Sequence, residues 1–359
     1  MRDRKGASAT CTGRPAEFLE GEDMIDRRSF LTAGAAASAA GILAACAKKN
    51  PAKSTGSDSS GGGSKQITLG FSQVGSESGW RAANTQSVKE AAKAAGINLK
   101  FSDAQQKQEN QISAIRSYIA QKVDVISFSP VVVTGWDTVL KEAKAANIPV
   151  ILTDRSVETS DPSLYVTLVG SDFEIEGERA AHMLEKVLAG HSGPVKIAQL
   201  EGTSGAAPAI ERAKGFAKIM KASHPDWKII ASQDGDFTRA GGKQVMAAFL
   251  QAHSDIDVLF SHNDDMAIGA IQSIQAAGKT PGKDIKIVSV DGVHDGFVAM
   301  SKGQINAIVE CNPLLGPQLM DAVKTVHAGK GSTLPRWIKT KESDYMADQA
   351  AAALPSRKY

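Results

Sequence analysis

Ile67-Thr68-Leu69-Gly70-Phe71, then Trp80 to Ala95 stopped by Gly96, then Ile97 to Phe101, is the stretch that decides the fold. A short apolar run, a segment of helical length with a glycine stop and a second apolar run make one strand–helix–strand unit. The alternation continues outward. Ile112, Ile115 and Ile119 recur at helical spacing, Val123 to Phe128 is apolar on both faces, Trp136 to Ala146 is helical, and Pro149 opens the strand Val150 to Thr153. Beyond it, strands are expected at Leu164 to Val169, Val195 to Leu200, Ile229 to Ser232, Val258 to Ser261, Ile285 to Val290 and Ile305 to Val309. Helices are expected at Ile175 to Leu188, Ile210 to Met220, Gly242 to Ala252, Ala267 to Ala277 and Pro317 to His327. Repeated βα units with apolar strands predict an α/β fold of parallel sheets covered on both faces. The units from Lys65 to Tyr359 are too many for one compact sheet, so two doubly wound lobes are expected, each with its own core.

Upstream, Arg27-Arg28-Ser29-Phe30-Leu31 precedes an Ala-rich run that closes on Leu43-Ala44-Ala45-Cys46. A positive flank, a short apolar core and small residues at the cut are the parts of an export signal. The core is shorter than the roughly 20 residues that span a bilayer. The twin arginine suits twin-arginine export, and an ordinary positive flank for general secretion fits the same residues. Leu43 to Cys46 resembles the lipobox of bacterial lipoproteins, which would leave Cys46 as a lipid-bearing N-terminus. We therefore read residues 1–23 as an over-extended start before Met24, 24–45 as signal peptide and 46–64 as a lipidated tether. Its Lys, Ser and Gly content cannot bury a core. The expected location is the periplasm or the outer face of the cytoplasmic membrane, with the membrane reached through the lipid alone.

Composition narrows the function further. Of 3 cysteines, Cys11 lies in the discarded leader, Cys46 carries lipid and Cys311 is left as a buried small residue, so no disulfide and no cysteine metal pair are expected. A net charge of +2 without a basic patch argues against nucleic acid. No GxGxxG follows the first strand, and Gly202-Thr203-Ser204-Gly205 lacks the Lys-Ser/Thr of a P-loop. No G-x-S-x-G elbow or H-E-x-x-H occurs, so no cofactor, metal or catalytic residue is expected.

In open α/β sheets ligands bind beyond the carboxyl ends of the strands. There the chain places Glu77-Ser78-Gly79-Trp80-Arg81, Asp154-Arg155, Glu211-Arg212 after a Gly-rich loop, Asp236-Phe237, His262-Asn263-Asp264-Asp265 and Asp291-Gly292. Carboxylates accept from sugar hydroxyls, Arg and Asn donate to them, and Trp80 or Phe237 offers a plane for a sugar ring. Glu77, Asp154 and Asp291 offset Arg81, Arg155 and Arg212, which favours a neutral ligand. Each residue also has a plainer role open to it. Trp80 could be a core-edge anchor, Asp154-Arg155 a loop ion pair, Asn263 a helix cap and Asp291-Gly292 a turn. His262 and His294 are structural or solvent-facing. The case rests on joint placement.

Several segments carry a family resemblance: Gly70 to Arg81, Gln105 to Gln111, Pro130-Val131-Val132 with Thr134-Gly135-Trp136, Gly235 to Arg239 and His262 to Met266. From about Gln66 onward the chain resembles the type I periplasmic sugar-binding proteins, the ribose-binding class of ABC-importer receptors, and within it the galactofuranose binders above all. The resemblance implies sugar contacts from Glu77, Ser78, Gly79, Trp80, Arg81, Asp154, Arg155, Arg212, Asn263 and Asp291, with Phe237 enclosing the ring. It also implies lobes of 65–170 with 312–340 and of 171–311 with 341–359, joined by a three-strand hinge that closes on a monosaccharide. The implied partners are a permease and an ATPase, with the receptor itself a monomer. Cys311, where ribose binders have Gln, argues against ribose. Other functions fit the fold: a sugar receptor for signalling or chemotaxis, and a LacI-like regulator, which needs a helix-turn-helix where this chain has a signal and tether. An enzyme with Glu77 and Asp291 as paired carboxylates lacks a nucleophile with its base.

Overall fold

Ser78 starts the first helix. Its extended backbone and hydroxyl, which accepts from the Arg81 amide at 3.1 Å, form an N-cap, and Gly96 at φ 68° ends the turn after it. The computed structural model describes residues 66–359. The expected start 1–23, signal peptide 24–45, Cys46 and tether 46–64 lie outside the described residues.

The first lobe carries β1 (Thr68–Gln73), α1 (Gly79–Ala94), β2 (Asn98–Asp103), α2 (Gln108–Ala120), β3 (Val125–Phe128), α3 (Asp137–Ala145), β4 (Val150–Thr153) and β5 (Thr167–Gly170). The second carries α4 (Phe173–Val187), β6 (Val195–Glu201), α5 (Ala207–Ser223), β7 (Trp227–Asp234), α6 (Arg239–Ala252), β8 (Val258–Ser261), α7 (Asp264–Ala276), β9 (Lys286–Asp291), α8 (His294–Ser301) and β10 (Ala307–Glu310). The chain then returns for α9 (Gly316–His327) and β11 (Trp337–Lys339) and crosses again for β12 (Asp344–Met346) and the short α10 (Ala350–Ala353). The expected α/β architecture of two doubly wound sheets is what forms. One sheet runs β11-β5-β4-β3-β1-β2, all parallel; the other runs β12-β10-β9-β8-β6-β7, parallel except for β12.

Strands apolar on both faces bury both. In the first sheet Leu69, Phe71, Val125 and Ile151 meet Val88, Leu319 and Val323 on one side, while Ile126, Phe128 and Leu152 meet Ile115, Trp136 and Leu140 on the other. In the second, Ile197, Val258 and Phe260 pack with Met183, Leu184 and Phe216; Leu200, Leu259 and Ile287 pack with Met246, Ile274 and Phe297. The strand read from Leu164 starts three residues later, because Pro162–Leu164 forms a turn of 3-10 helix capped by Asp161. Among the described residues no helix is long and apolar enough to cross a membrane.

The chain crosses between sheets at Ser171-Asp172, at 311–315 and at 340–343. The crossings meet at Ser171, whose hydroxyl lies 3.5 Å from Cys311 Sγ and 3.1 Å from Thr340 Oγ1 and also bonds Glu342.

Helices α4 and α5 approach unusually closely because each presents a glycine. A Cβ on Gly177 would lie 2.2 Å from the Arg212 carbonyl oxygen, and one on Gly215 would lie 2.0 Å from that of Glu174. Gly177→Ala is therefore expected to lower stability by about 1–3 kcal/mol, read from the urea midpoint. An unchanged midpoint would show that the helices part freely.

Candidate functional site

The two sheets share one plan. Strands β1 and β6 each sit between the strand that follows them and the next one along, so the strand order reverses at β1/β3 and at β6/β8. Such reversals open a crevice beyond the strand ends. The two crevices face each other across one narrow cavity, lined by Glu77, Ser78, Trp80, Arg81, Asp154, Arg155, Phe173, Pro208, Arg212, Phe237, Asn263, Asp291 and Cys311.

Arg81 lies on the first turn of α1. Its Nε donates to Glu77 Oε1 at 2.9 Å, one terminal nitrogen meets Asp154 Oδ2 at 2.8 Å, and the other donates to Gln73 Oε1 at 3.1 Å. Ser129, at the end of β3, donates to the same Asp154 oxygen at 2.9 Å. Burial works against the Arg81 charge, but Asp154 and Glu77 overcome it and hold the guanidinium protonated beyond its ordinary range. Arg155 fares differently. It donates to the Val131 carbonyl at 3.1 Å and stands 3.7 Å from Asp154 Oδ2. Burial and then neighbouring Arg81 pull it down to about 10. In the second lobe Arg212 donates to Glu176 Oε2 at 2.7 Å and to the His262 carbonyl at 2.5 Å, and lies 3.9 Å from Asp291 Oδ1. Burial pushes the Asp291 carboxyl well up, and Arg212 only partly offsets it.

Each of these arginines also lies on an aromatic ring: Arg81 is 4.7 Å from the centroid of Trp80, Arg155 5.2 Å from Phe237 and Arg212 5.1 Å from Phe173. The cavity therefore has three aromatic–guanidinium plates and three carboxylates. Three residues of its lining each carry a buried atom without a hydrogen-bond partner: Glu77 Oε2, Arg155 Nε and Asp291 Oδ2. Glu77 Oε2 accepts, Arg155 Nε donates and the Asp291 carboxyl, pushed by burial toward its protonated form, can do either, which is the complement of hydroxyl groups.

Nine of the ten residues expected at the site line this cavity; Gly79 does not. Its amide instead donates to Asp265 Oδ2 at 2.7 Å. Several open alternatives resolve into double roles. Asn263 caps α7, accepting from the Met266 amide at 2.9 Å, and donates to the Phe237 carbonyl at 3.0 Å while still lining the cavity. Trp80 is buried at the lobe edge, its indole donating to the Cys311 carbonyl at 2.7 Å. Asp236 and Glu211 lie outside the lining, and His294 is exposed beside Asp295. Phe173 and Pro208 were missed. Both sit in the first turns of α4 and α5, ahead of the apolar periodicity that marks those helices. Gly202 was read only as a failed P-loop; a Cβ there would fall 1.8 Å from Phe237, so it makes room for that ring.

A periplasmic binding protein domain matches residues 69–331. The chain belongs to that family. The galactofuranose-binding protein YtfQ of Escherichia coli K12 is 49% identical over 296 residues, 81% of this chain and 92% of that one. A Mycobacterium smegmatis protein solved in complex with β-D-fucofuranose is 59% identical, with a TM-score of 0.79 over 82% of this chain and 95% of that one. The binding component of the arabinose ABC transporter of Shewanella sp. ANA-3, bound to α- and β-L-arabinofuranose, is 50% identical, with a TM-score of 0.78 over 81% and 96%. These relatives bind solutes rather than transform them, and this chain is likewise a binding protein, not an enzyme.

His262, beneath the site at the end of β8, is fully buried against Phe260, and neither ring nitrogen has a partner. Burial, then Arg212, lowers its pKa well below 6.5. The folded state thus holds it neutral: its stabilisation is complete above the unfolded pKa and is lost as pH falls below it. Between pH 7 and 5, wild-type stability is expected to drop relative to His262→Phe by up to about 1.4 kcal/mol per pH unit. Parallel stability–pH curves for the two proteins would refute this.

Proposed function

We propose that this protein is the extracytoplasmic substrate-binding component of an ABC importer and that its cargo is a monosaccharide in furanose form, galactofuranose or a related aldose. The observation that carries it is a trio of buried atoms without a hydrogen-bond partner on residues that line the cavity: Glu77 Oε2 accepts from a hydroxyl, Arg155 Nε donates to an oxygen, and Asp291 Oδ2 exchanges a hydrogen bond with a hydroxyl. A buried polar atom left without a partner costs about 1–3 kcal/mol, which a hydroxylated ring relieves. A phosphate or carboxylate would be repelled by Glu77 and Asp154, which share the cavity with the guanidinium groups. The names of the three relatives all carry furanoses.

Glu77, Ser78, Trp80, Arg81, Asp154 and Arg155 grip the ring from the first lobe, and Arg212, Asn263 and Asp291 from the second. Residues 65–170 with 312–340 close against 171–311 with 341–359, and cargo stabilises the closed form because it touches both lobes. The closed receptor, a monomer, delivers to a permease driven by an ATPase. Export through Arg27-Arg28 and lipidation at Cys46 belong to the same reading and rest on the leader sequence alone. They place the receptor on the outer face of the cytoplasmic membrane.

Tryptophan fluorescence titration with L-arabinose, D-galactose, D-fucose and D-ribose tests the cargo. We expect saturable binding of the first three, weaker ribose binding, a pentose or hexose mass for the co-purified sugar, and a furanose ring for the bound sugar in a crystal structure of the complex. Folded protein that responds to none of them overturns the reading. Arg155→Ala is expected to weaken binding at least about tenfold, roughly 1.4 kcal/mol, and an unchanged affinity removes Arg155 from the site. For the anchor, Cys46→Ser should abolish fatty-acid labelling and release the protein from membranes.

A further inference from the structure

Away from the crossings, polar contacts join the lobes directly across the cleft. The Val133 amide donates to the Gly205 carbonyl at 2.8 Å, Ser156 Oγ lies 3.5 Å from Glu211 Oε1, and the Gly79 amide donates to Asp265 Oδ2 at 2.7 Å. The last differs in kind. Gly79 is the first residue of the 16-residue helix α1, where free amides and the helix dipole favour a negative charge. Within its own lobe Ser78 satisfies the Arg81 amide; the Gly79 amide takes its acceptor from the other lobe.

Asp265 is built for that place before the lobes meet. Its side chain is 4% exposed, and its other oxygen receives Arg239 Nε at 2.5 Å. Arg239 is itself held by Asp295 at 2.7 Å, within the same lobe. The Asp265–Arg239 and Arg239–Asp295 bonds both lie within the second lobe, so neither needs the first. Asp265 does not line the ligand cavity.

We propose that Asp265 is a closure latch: a carboxylate of the second lobe that caps helix α1 of the first only when the lobes are together, and so tightens the hold on every cargo by a common factor without touching any. This rests on cargo binding in the cleft. The latch is independent of which cargo binds.

Two variants test it from opposite sides. Asp265→Ala removes the acceptor. Gly79→Pro removes the donor and leaves Asp265 and its influence on Asp291 in place. Proline is tolerated at the first helical position, and Ser78, at φ −144° and ψ 163°, already has the extended backbone that a residue before proline needs. On the full chain, with L-arabinose and D-galactose as probes, each variant is expected to lower both affinities by the same factor of about ten, through faster dissociation with association unchanged. The double variant should be no weaker than either single one, because both break one bond. Without sugar, labels at exposed Lys93 and Lys221 should report fewer closed molecules than in the wild type. Wild-type affinity and dissociation in either single variant, additive losses in the double variant, or unequal losses for the two sugars would each overturn the latch. If neither sugar binds the wild type, the cargo reading fails instead. The label distances without sugar still decide the latch: fewer closed molecules support it, and an unchanged distribution overturns it.

Discussion

Three guanidinium groups buried in one cleft are the constraint on which the site depends. Arg81, Arg155 and Arg212 are each 3% exposed. An ion moved out of water costs several kcal/mol unless it is paired and fully hydrogen-bonded. The fold meets that cost unevenly. Arg81 has Glu77, Asp154 and Gln73, and Arg212 has Glu176 and a backbone carbonyl. Arg155 has two backbone carbonyls, and its Nε makes no hydrogen bond, facing the Asp154 carboxylate only at 3.7 Å. Its lowered pKa expresses the same deficit. A cleft that satisfied all three alone would leave a ligand little to add. This one leaves a nitrogen and two carboxyl oxygens short, so binding energy is available where the cargo sits.

Holding those groups in place strains the backbone. Asp154 at φ 62°, Asp291 at φ 123° and Phe237 at φ 60° occupy left-handed conformations that non-glycine residues rarely adopt. Such positions cost about 1–3 kcal/mol each and persist where the surroundings over-determine them. Asp154 is pinned by its amide to the Val169 carbonyl at 2.7 Å, and the Asp291 loop is pinned by Asp264, which accepts from the Gly292 and Val293 amides at 2.8 and 2.9 Å. The strain turns each side chain from the sheet end into the cleft.

Much of this was legible in the sequence, for identifiable reasons. Strands buried on both faces read as continuous apolar runs, so the sequence places β3, β4 and β8 nearly to the residue, and the rule for strand ends brings Asp154-Arg155 after β4 and Asn263 after β8 to the cleft. What escaped was set by tertiary contact. Strands β11 and β12 are three residues each and exist only because β5 and β10 offer them an edge. Phe173 and Pro208 precede the amphipathic pattern of their helices, so periodicity could not reach them. Gly79 was assigned with its neighbours in the Glu77–Arg81 loop. A helix start that faces another lobe differs from one that faces a ligand only in what stands opposite, and local sequence does not carry that.

What stands opposite also divides the work of closure. A cargo shifts the lobes only by the difference in its affinity for the open and closed forms. In the proposed reading, the Gly79–Asp265 bond adds to that shift whatever the cargo and so sets the level of affinity, while Arg155, Asp291 and Glu77 set selectivity. The two contributions are bounded against each other. A latch too weak leaves most of the binding energy spent on closing the lobes. One strong enough to close them unaided removes the signal that distinguishes a loaded receptor from an empty one. A single charge-assisted bond, of about 1.5–3 kcal/mol, lies between these limits, since moving a two-state equilibrium from 1:99 to 99:1 takes about 5.5 kcal/mol. The remainder must come from the ring hydroxyls, and the unpartnered oxygens and nitrogen of the cleft are where they can supply it.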